Sequence, residues 1–107
     1  MSLIIAIAKD FAPTPGPRLI EEGDFSGELF RTRVLRPLFE KAIAQSETIL
    51  VDLDGTEGYA TSFLEESFGG LARIYTSEDV AKVLRFKSED EPFLVEEIVG
   101  YIKNANA

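Results

Sequence analysis

Apolar positions along this chain switch between two spacings, and each switch marks an element. Residues 3–8 are continuously apolar and rich in isoleucine, which predicts a strand covered on both faces. Residues 10–17 hold three prolines and a glycine and predict a fixed loop, since proline neither donates to a ladder nor sustains a helix. Residues 18–22 read as a short second strand, ended by Gly23 and Asp24. From Ser26 the spacing becomes helical: Phe30, Val34, Leu38 and Ala42 fall at i+4 steps, with Phe39 and Ile43 beside them. Ser26 or Asp24 can cap this helix, and Glu28 sits where the helix dipole favours an acid. Pro37 predicts a kink or a break within the 26–46 stretch, because it removes one amide and crowds the preceding turn.

Residues 48–53 form a second strand pattern, closed by Asp54-Gly55 and Gly58. A helix follows from Ser62, with Leu64, Phe68, Leu71 and Tyr75 on one buried face. Gly69-Gly70 within it costs about 1 kcal/mol per glycine against alanine, which makes sense only where another element packs close. Residues 77–79 open a short helical turn, and 83–86 alternate as a third core strand. Pro92 starts a last helix that carries Leu94, Ile98, Tyr101 and Ile102 inward. Strands alternating with helices predict one α/β domain over 1–107. The expected sheet is small and mixed, of about four strands, with helices mainly on one face and the first two strands antiparallel.

Composition narrows the chemistry. The chain has 107 residues, no cysteine and no histidine. That excludes disulfides, thiol nucleophiles, imidazole-based zinc sites and histidine triads. The net charge of -8 argues against binding nucleic acid or anionic lipid, which is driven by Lys and Arg. No apolar run approaches the roughly 20 residues needed to span a bilayer, and the opening apolar stretch lacks the basic flank of a signal peptide. A cytoplasmic protein that needs no cofactor is expected. Arg31, Arg33, Arg36 and Lys41 form a small basic cluster among acids, the pattern of a solvated face.

Three residue groups are candidates for function. In the first, Ser62 and Glu65 have the spacing of a capping box at a helix start. The same helix start favours an added anion, so a phosphoryl group on Thr61 or Ser62 would change the surface without unfolding the helix. In the second, Asp52-Leu53-Asp54-Gly55-Thr56 ends a strand with two carboxylates at i, i+2, a pair able to bind a hard cation. In the third, Gly23 and Gly27 flank a turn into a helix that can cradle an anion, with Arg18 and Arg31 adding charge. The plainer reading of that group pairs Glu28 with Arg31 at i, i+3.

Order, length and motifs together resemble a STAS domain, the fold of anti-sigma-factor antagonists. The chain is most similar to the bacterial STAS-like branch that carries Arg…Ser-Gly-Glu-x-Phe-Arg and Ser-Phe-x-x-Glu-x-Phe-Gly segments. Here these are Arg18 with Ser26-Gly27-Glu28-Leu29-Phe30-Arg31, and Ser62-Phe63-Leu64-Glu65-Glu66-Ser67-Phe68-Gly69. The antagonists' Asp-Ser-Ser/Thr-Gly-Leu motif falls on Ala60-Thr61-Ser62-Phe63-Leu64. Thr61 then matches the phosphorylated hydroxyl, Ala60 replaces the Asp and Phe63 replaces the Gly. The resemblance implies a non-enzymatic regulatory domain, monomeric or homodimeric, that binds a protein partner such as a histidine-kinase-type ATPase. The surface it implies is the helix start with its preceding loop, Asp54 to Phe63, together with the Pro-rich loop; Thr61, Ser62, Phe63, Asp54 and Glu65 are its candidate residues. The Asp52–Thr56 stretch separately resembles the first motif of haloacid-dehalogenase-type phosphatases, which implies magnesium-dependent phosphoryl transfer as the alternative. It begins near mid-chain and leaves Lys82 as its sole basic partner. A small-ligand or nucleotide sensor is a third class, since related STAS folds bind small molecules.

Overall fold

Three four-residue strands, β1 (Leu3–Ala6), β2 (Ile49–Asp52) and β3 (Leu84–Lys87), form a wholly parallel sheet in the order β1-β2-β3. The structure, a computed structural model, describes residues 3–106. Parallel neighbours need long crossovers. Residues 27–45 supply one as a helix; residues 61–74 and Ser77–Val83 supply the next as two helices. A last helix, Phe93–Lys103, follows β3.

Register sorts the strands into two faces. Ile5, Val51 and Phe86 share one row, and Leu3, Ile49 and Leu84 the row two residues back. These rows face the helices, so Ile5, Ile49, Val51 and Leu84 are buried. The alternate row of Ile4, Leu50 and Arg85 points away, leaving Ile4 62% exposed. The strand at 3–8 is therefore covered on one face only and ends at Ala6; Ile7 is buried from a helical turn, Ile7–Asp10.

Residues 18–22 are not a strand. Ile20–Glu22 is a single 3₁₀ turn, because side chains and a helix start have claimed the local backbone. The Leu19 and Ile20 amides donate to the carboxylates of Glu22 and Glu28, both at 2.9 Å. The Pro17 and Arg18 carbonyls accept from the Gly27 and Glu28 amides. No ladder can form there, so the described sheet has three strands and no antiparallel pair.

The 27–45 helix continues through Pro37 without a break. Pro37 follows a π-helical segment, Arg31–Leu35, in which the Arg36 amide reaches back to the Arg31 carbonyl. The extra residue in that turn absorbs a proline that cannot bond Arg33. It also moves the buried stripe out of simple i+4 phase. The buried residues are Phe30, Leu35, Phe39 and Ala42; Val34 and Leu38 are partly buried and Ile43 is exposed. A second π segment, Glu65–Gly69, lies in the 61–74 helix. Leu64, Phe68 and Leu71 are buried as expected, while Tyr75 closes the helix half-buried. Ser77–Val83 is a two-turn helix, capped by Thr76, so Val83 belongs to it and the strand starts at Leu84. The last helix buries Leu94, Ile98 and Ile102, with Tyr101 partly covered. Among the described residues, no helix is long and apolar enough to cross a membrane.

Candidate functional site

The two motif segments pack against each other. Ser26 is fully buried and its Oγ accepts the Leu29 amide at 3.0 Å, so Ser26 is the cap that starts the 27–45 helix. One residue on, Gly27 passes against the other segment. A Cβ there would stand 2.5 Å from the Phe63 carbonyl oxygen, so only glycine permits this approach. The Ser67 hydroxyl donates to the Gly27 carbonyl at 3.2 Å. Phe30 packs on Phe63 and Phe68, with ring centroids 5.9 and 6.1 Å apart.

Charges continue the contact. Arg31, from the first segment, pairs with the Glu66 carboxylate and donates to the Glu66 carbonyl at 2.8 Å. Arg18 bridges Glu65 at 2.7 Å and Glu66 at 3.1 Å, and Arg73 pairs with Glu65 at 2.6 Å. Gly69 and Gly70 make room for this network. Added Cβ atoms would fall 2.5 Å from a Glu65 oxygen and 2.5 Å from an Arg31 nitrogen, respectively. The close-packed element expected at the glycine pair is thus the Arg31 side chain and the Glu65–Arg73 ion pair. Arg31 Nε is buried without an acceptor among the described residues. Glu66 and Arg73 were not singled out from the sequence, although Glu66 is the acid of the second motif segment.

Of these pairs Arg31–Glu66 joins the two π-bulged helices, Arg18 ties the loop before Gly27 to Glu65 and Glu66, and Arg73–Glu65 lies within the second helix. Glu28 does not pair with Arg31; its carboxylate holds the Ile20 amide instead. The turn before Gly27 keeps little donor capacity for an anion, because the Gly27, Glu28 and Leu29 amides already bond Pro17, Arg18 and Ser26. Arg73, then Arg18, hold the Glu65 carboxyl down to about 2 against the opposing effect of burial. For Glu66, burial pushes upward, but hydrogen bonds from Arg31 and Arg18 outweigh it and leave it below the usual carboxylate range. A folded-state value below the unfolded one gives stability that is present above about pH 4.5 and lost as pH falls towards 2. Melting temperatures measured from pH 6 to 2.5 are expected to fall through that window. Glu65→Gln should flatten the fall; an unchanged acid slope in that variant would show that Glu65 gains nothing from its arginines.

At the helix start, the capping box is not formed. Ala60 is the N-cap and no side chain caps the first turn, so Ser62 stands inside the helix and Glu65 turns to Arg18 and Arg73 instead. Thr61 is exposed, Ser62 half-buried, and Phe63 fully buried among Phe11, Phe30 and Tyr59. Phe63 therefore offers no aromatic anchor to a partner. The loop before this helix touches the Pro-rich loop through the Glu57 amide, which donates to the Pro13 carbonyl at 2.9 Å. Tyr59 pins the same loop by donating to the Leu53 carbonyl at 2.8 Å, and burial pushes its phenol up to about 12.

The acid pair at the end of β2 is held by backbone and by one lysine. Asp52 accepts the Asp54 amide at 3.0 Å. Asp54 accepts the Glu89 and Asp90 amides at 2.8 and 2.9 Å, and Asp90 in turn accepts the Gly55 amide at 3.1 Å. These bonds tie the turn after β2 to the turn after β3. The amides of Asp90 and Glu89 hold the Asp54 carboxyl below its ordinary value. Lys87 Nζ stands 3.8 Å from both carboxylates, whereas Lys82 pairs with Glu78 on its own helix. Among the described residues, no group of three or more His, Cys, Asp or Glu is placed to hold a metal ion.

Comparison with known proteins bears on the motif geometry directly. No curated protein and no solved structure matches the chain. A family model described as a STAS-like domain of unknown function (DUF4325) matches residues 26–93. That range opens on the Ser26 cap and takes in β2, β3 and both sides of the Gly27–Phe63 and Arg31–Glu66 contacts; Arg18 precedes it. With well over half its length matched, and with the matched motifs packed against each other, the chain belongs to the STAS-like DUF4325 family.

Proposed function

We propose that this STAS-like domain is a non-enzymatic regulatory module that binds a protein partner through the start of the 61–74 helix and the loop before it. The partner is a histidine-kinase-type ATPase or another regulator. The observation that carries this reading is the contrast within one turn of helix. Thr61 is exposed, and no side chain caps this turn, while the following residues, Phe63, Leu64, Glu65 and Glu66, are committed to the core and the arginine network. A charge added at Thr61 therefore alters a rigid surface and little else. The acid pair Asp52 and Asp54 serves as loop architecture in this reading, which keeps the domain free of phosphoryl-transfer chemistry.

One set of variants tests both halves. Thr61→Asp should melt like the parent protein, because an acid in the first turn suits the helix dipole. It should fail to capture the partner that the parent pulls from a lysate, because an unpaired charge buried in an interface costs several kcal/mol. Equal capture by both proteins would mean that this surface is not the interface. Alongside, the parent and Asp52→Asn are incubated with a generic phosphate ester, with and without magnesium. Neither is expected to turn it over above background; a magnesium-dependent rate lost in Asp52→Asn would establish the enzyme instead.

A further inference from the structure

A groove of about 540 Å³ runs between the Ser77–Val83 helix, β3 and the Phe93–Lys103 helix, and residues 54–63 contribute nothing to it. Its volume lies in the range of about 300–1,000 Å³ typical of small-molecule sites. Ala81, Leu84 and Phe86 line one side; Val95, Val99 and Ile102 line the other. The Ser77 hydroxyl donates to the Ile102 carbonyl at 2.6 Å and ties the two helices together.

The rim charges are asymmetric. Glu78, the one acid in the lining, pairs with Lys82 at 3.2 Å on its own helix, and both side chains are exposed. Arg85 spends its Nη1 on the carbonyls of Ala81, Lys82 and Leu84, which fixes the guanidinium at the helix end without a carboxylate partner among the described residues. Lys103 likewise has no acidic partner among them. A chain of net charge -8 thus presents an apolar groove whose uncompensated charges are both cationic. The Phe93–Lys103 helix adds an independent observation. Seven of its eleven residues are apolar, yet only Leu94, Ile98 and Ile102 are buried. Val99, on the groove wall, is 48% exposed. A helix apolar on two sides is one that expects cover on both.

We propose that this groove binds a small amphiphile with one carboxylate, an aliphatic acid of medium chain length. The tail lies between Val95, Val99 and Ala81, and Arg85 and Lys103 supply the charge that the headgroup needs. This is a different face from the Thr61 surface and stands without it.

The probe is octanoate, titrated into the ¹⁵N-labelled chain and followed by amide chemical shifts, with 1-octanol as the uncharged counterpart. Saturable shifts are expected at residues 77–86 and 95–103, with octanol about tenfold weaker, the difference that one charge-assisted contact makes. The Arg85→Gln/Lys103→Gln variant should bind octanoate no better than octanol. Thr61→Asp should bind octanoate as the parent does, whichever way the partner experiment turns out. No saturable shift, shifts centred elsewhere, or equal affinity for octanoate and octanol in the parent would overturn the proposal. So would binding of an acidic amphipathic helical peptide at this groove with none of octanoate, which would make it a protein-docking face. The parent comparison decides the question even if the double variant does not fold.

Discussion

Phe68→Ala is expected to destabilise the domain by about 3–5 kcal/mol, the range for truncating a fully buried aromatic. Phe68 has no exposed surface and sits in the π segment of the 61–74 helix. Its ring meets Phe30 of the 27–45 helix edge-on at 6.1 Å and Phe86 of β3 at 5.3 Å. One side chain thus joins two helices and the sheet, and the void left by alanine has three walls that cannot all close in. Against a typical total of roughly 5–15 kcal/mol, that loss is severe. A urea or thermal melt reads it; a parent-like curve would show that the buried face of this helix is misassigned. Phe68→Leu, which keeps most of the volume, should lose clearly less.

Glu66→Ala is expected to cost a similar amount, about 3–5 kcal/mol, by a different route. The Arg31 and Glu66 side chains are only 13% and 16% exposed. Removing the carboxylate leaves the Arg31 guanidinium buried beside Gly70, with the Glu66 carbonyl as its remaining hydrogen-bond acceptor and an Nε without a partner among the described residues. Arg18 loses one of its two acids at the same time. The diagnostic is the double variant Arg31→Met/Glu66→Met, which removes both charges and fills the space. It should lose much less than the sum of the two single truncations. A cost below about 1 kcal/mol for Glu66→Ala would place the pair among solvent-exposed bridges of little weight.

These two variants separate what the motif segments do. The sequence singles out Arg18, Ser26, Gly27, Glu28 and Arg31 in one stretch and Ser62 to Gly69 in another, as though each were a site. In the fold they are the two halves of one internal contact. Gly27 is glycine because the Phe63 backbone lies over it, and at Gly70 the Arg31 side chain lies where a Cβ would stand. The surface that remains for a partner is the short exposed part of the second segment, chiefly Thr61, with the loop that precedes it.

Local pattern was enough to place the helices at 27–45, 61–74 and 93–103, the strand at 49–52, the core positions Phe30, Leu64, Phe68, Leu71, Leu94 and Ile98, and the STAS-like family. Each of these follows from short-range periodicity, turn residues or a contiguous motif, which a chain displays without folding. Four features needed the tertiary structure. Residues 18–22 have strand-like composition, but their amides and carbonyls are taken by Glu22, Glu28 and the start of the 27–45 helix, so no ladder forms and the sheet is wholly parallel. The π segment at Arg31–Leu35 moves the buried stripe from Val34 and Leu38 to Leu35 and Phe39, which a fixed 3.6-residue period cannot show. Ser62 and Glu65 have capping-box spacing, yet Ala60 is the N-cap, and the Glu65 carboxylate is taken by Arg18 from the loop before Gly27 and by Arg73 two turns along the same helix. The partner of Arg31 is likewise not Glu28, three residues away, but Glu66, thirty-five residues away. Spacing along the chain names the groups able to pair; which pair forms depends on what the packed helices bring within reach.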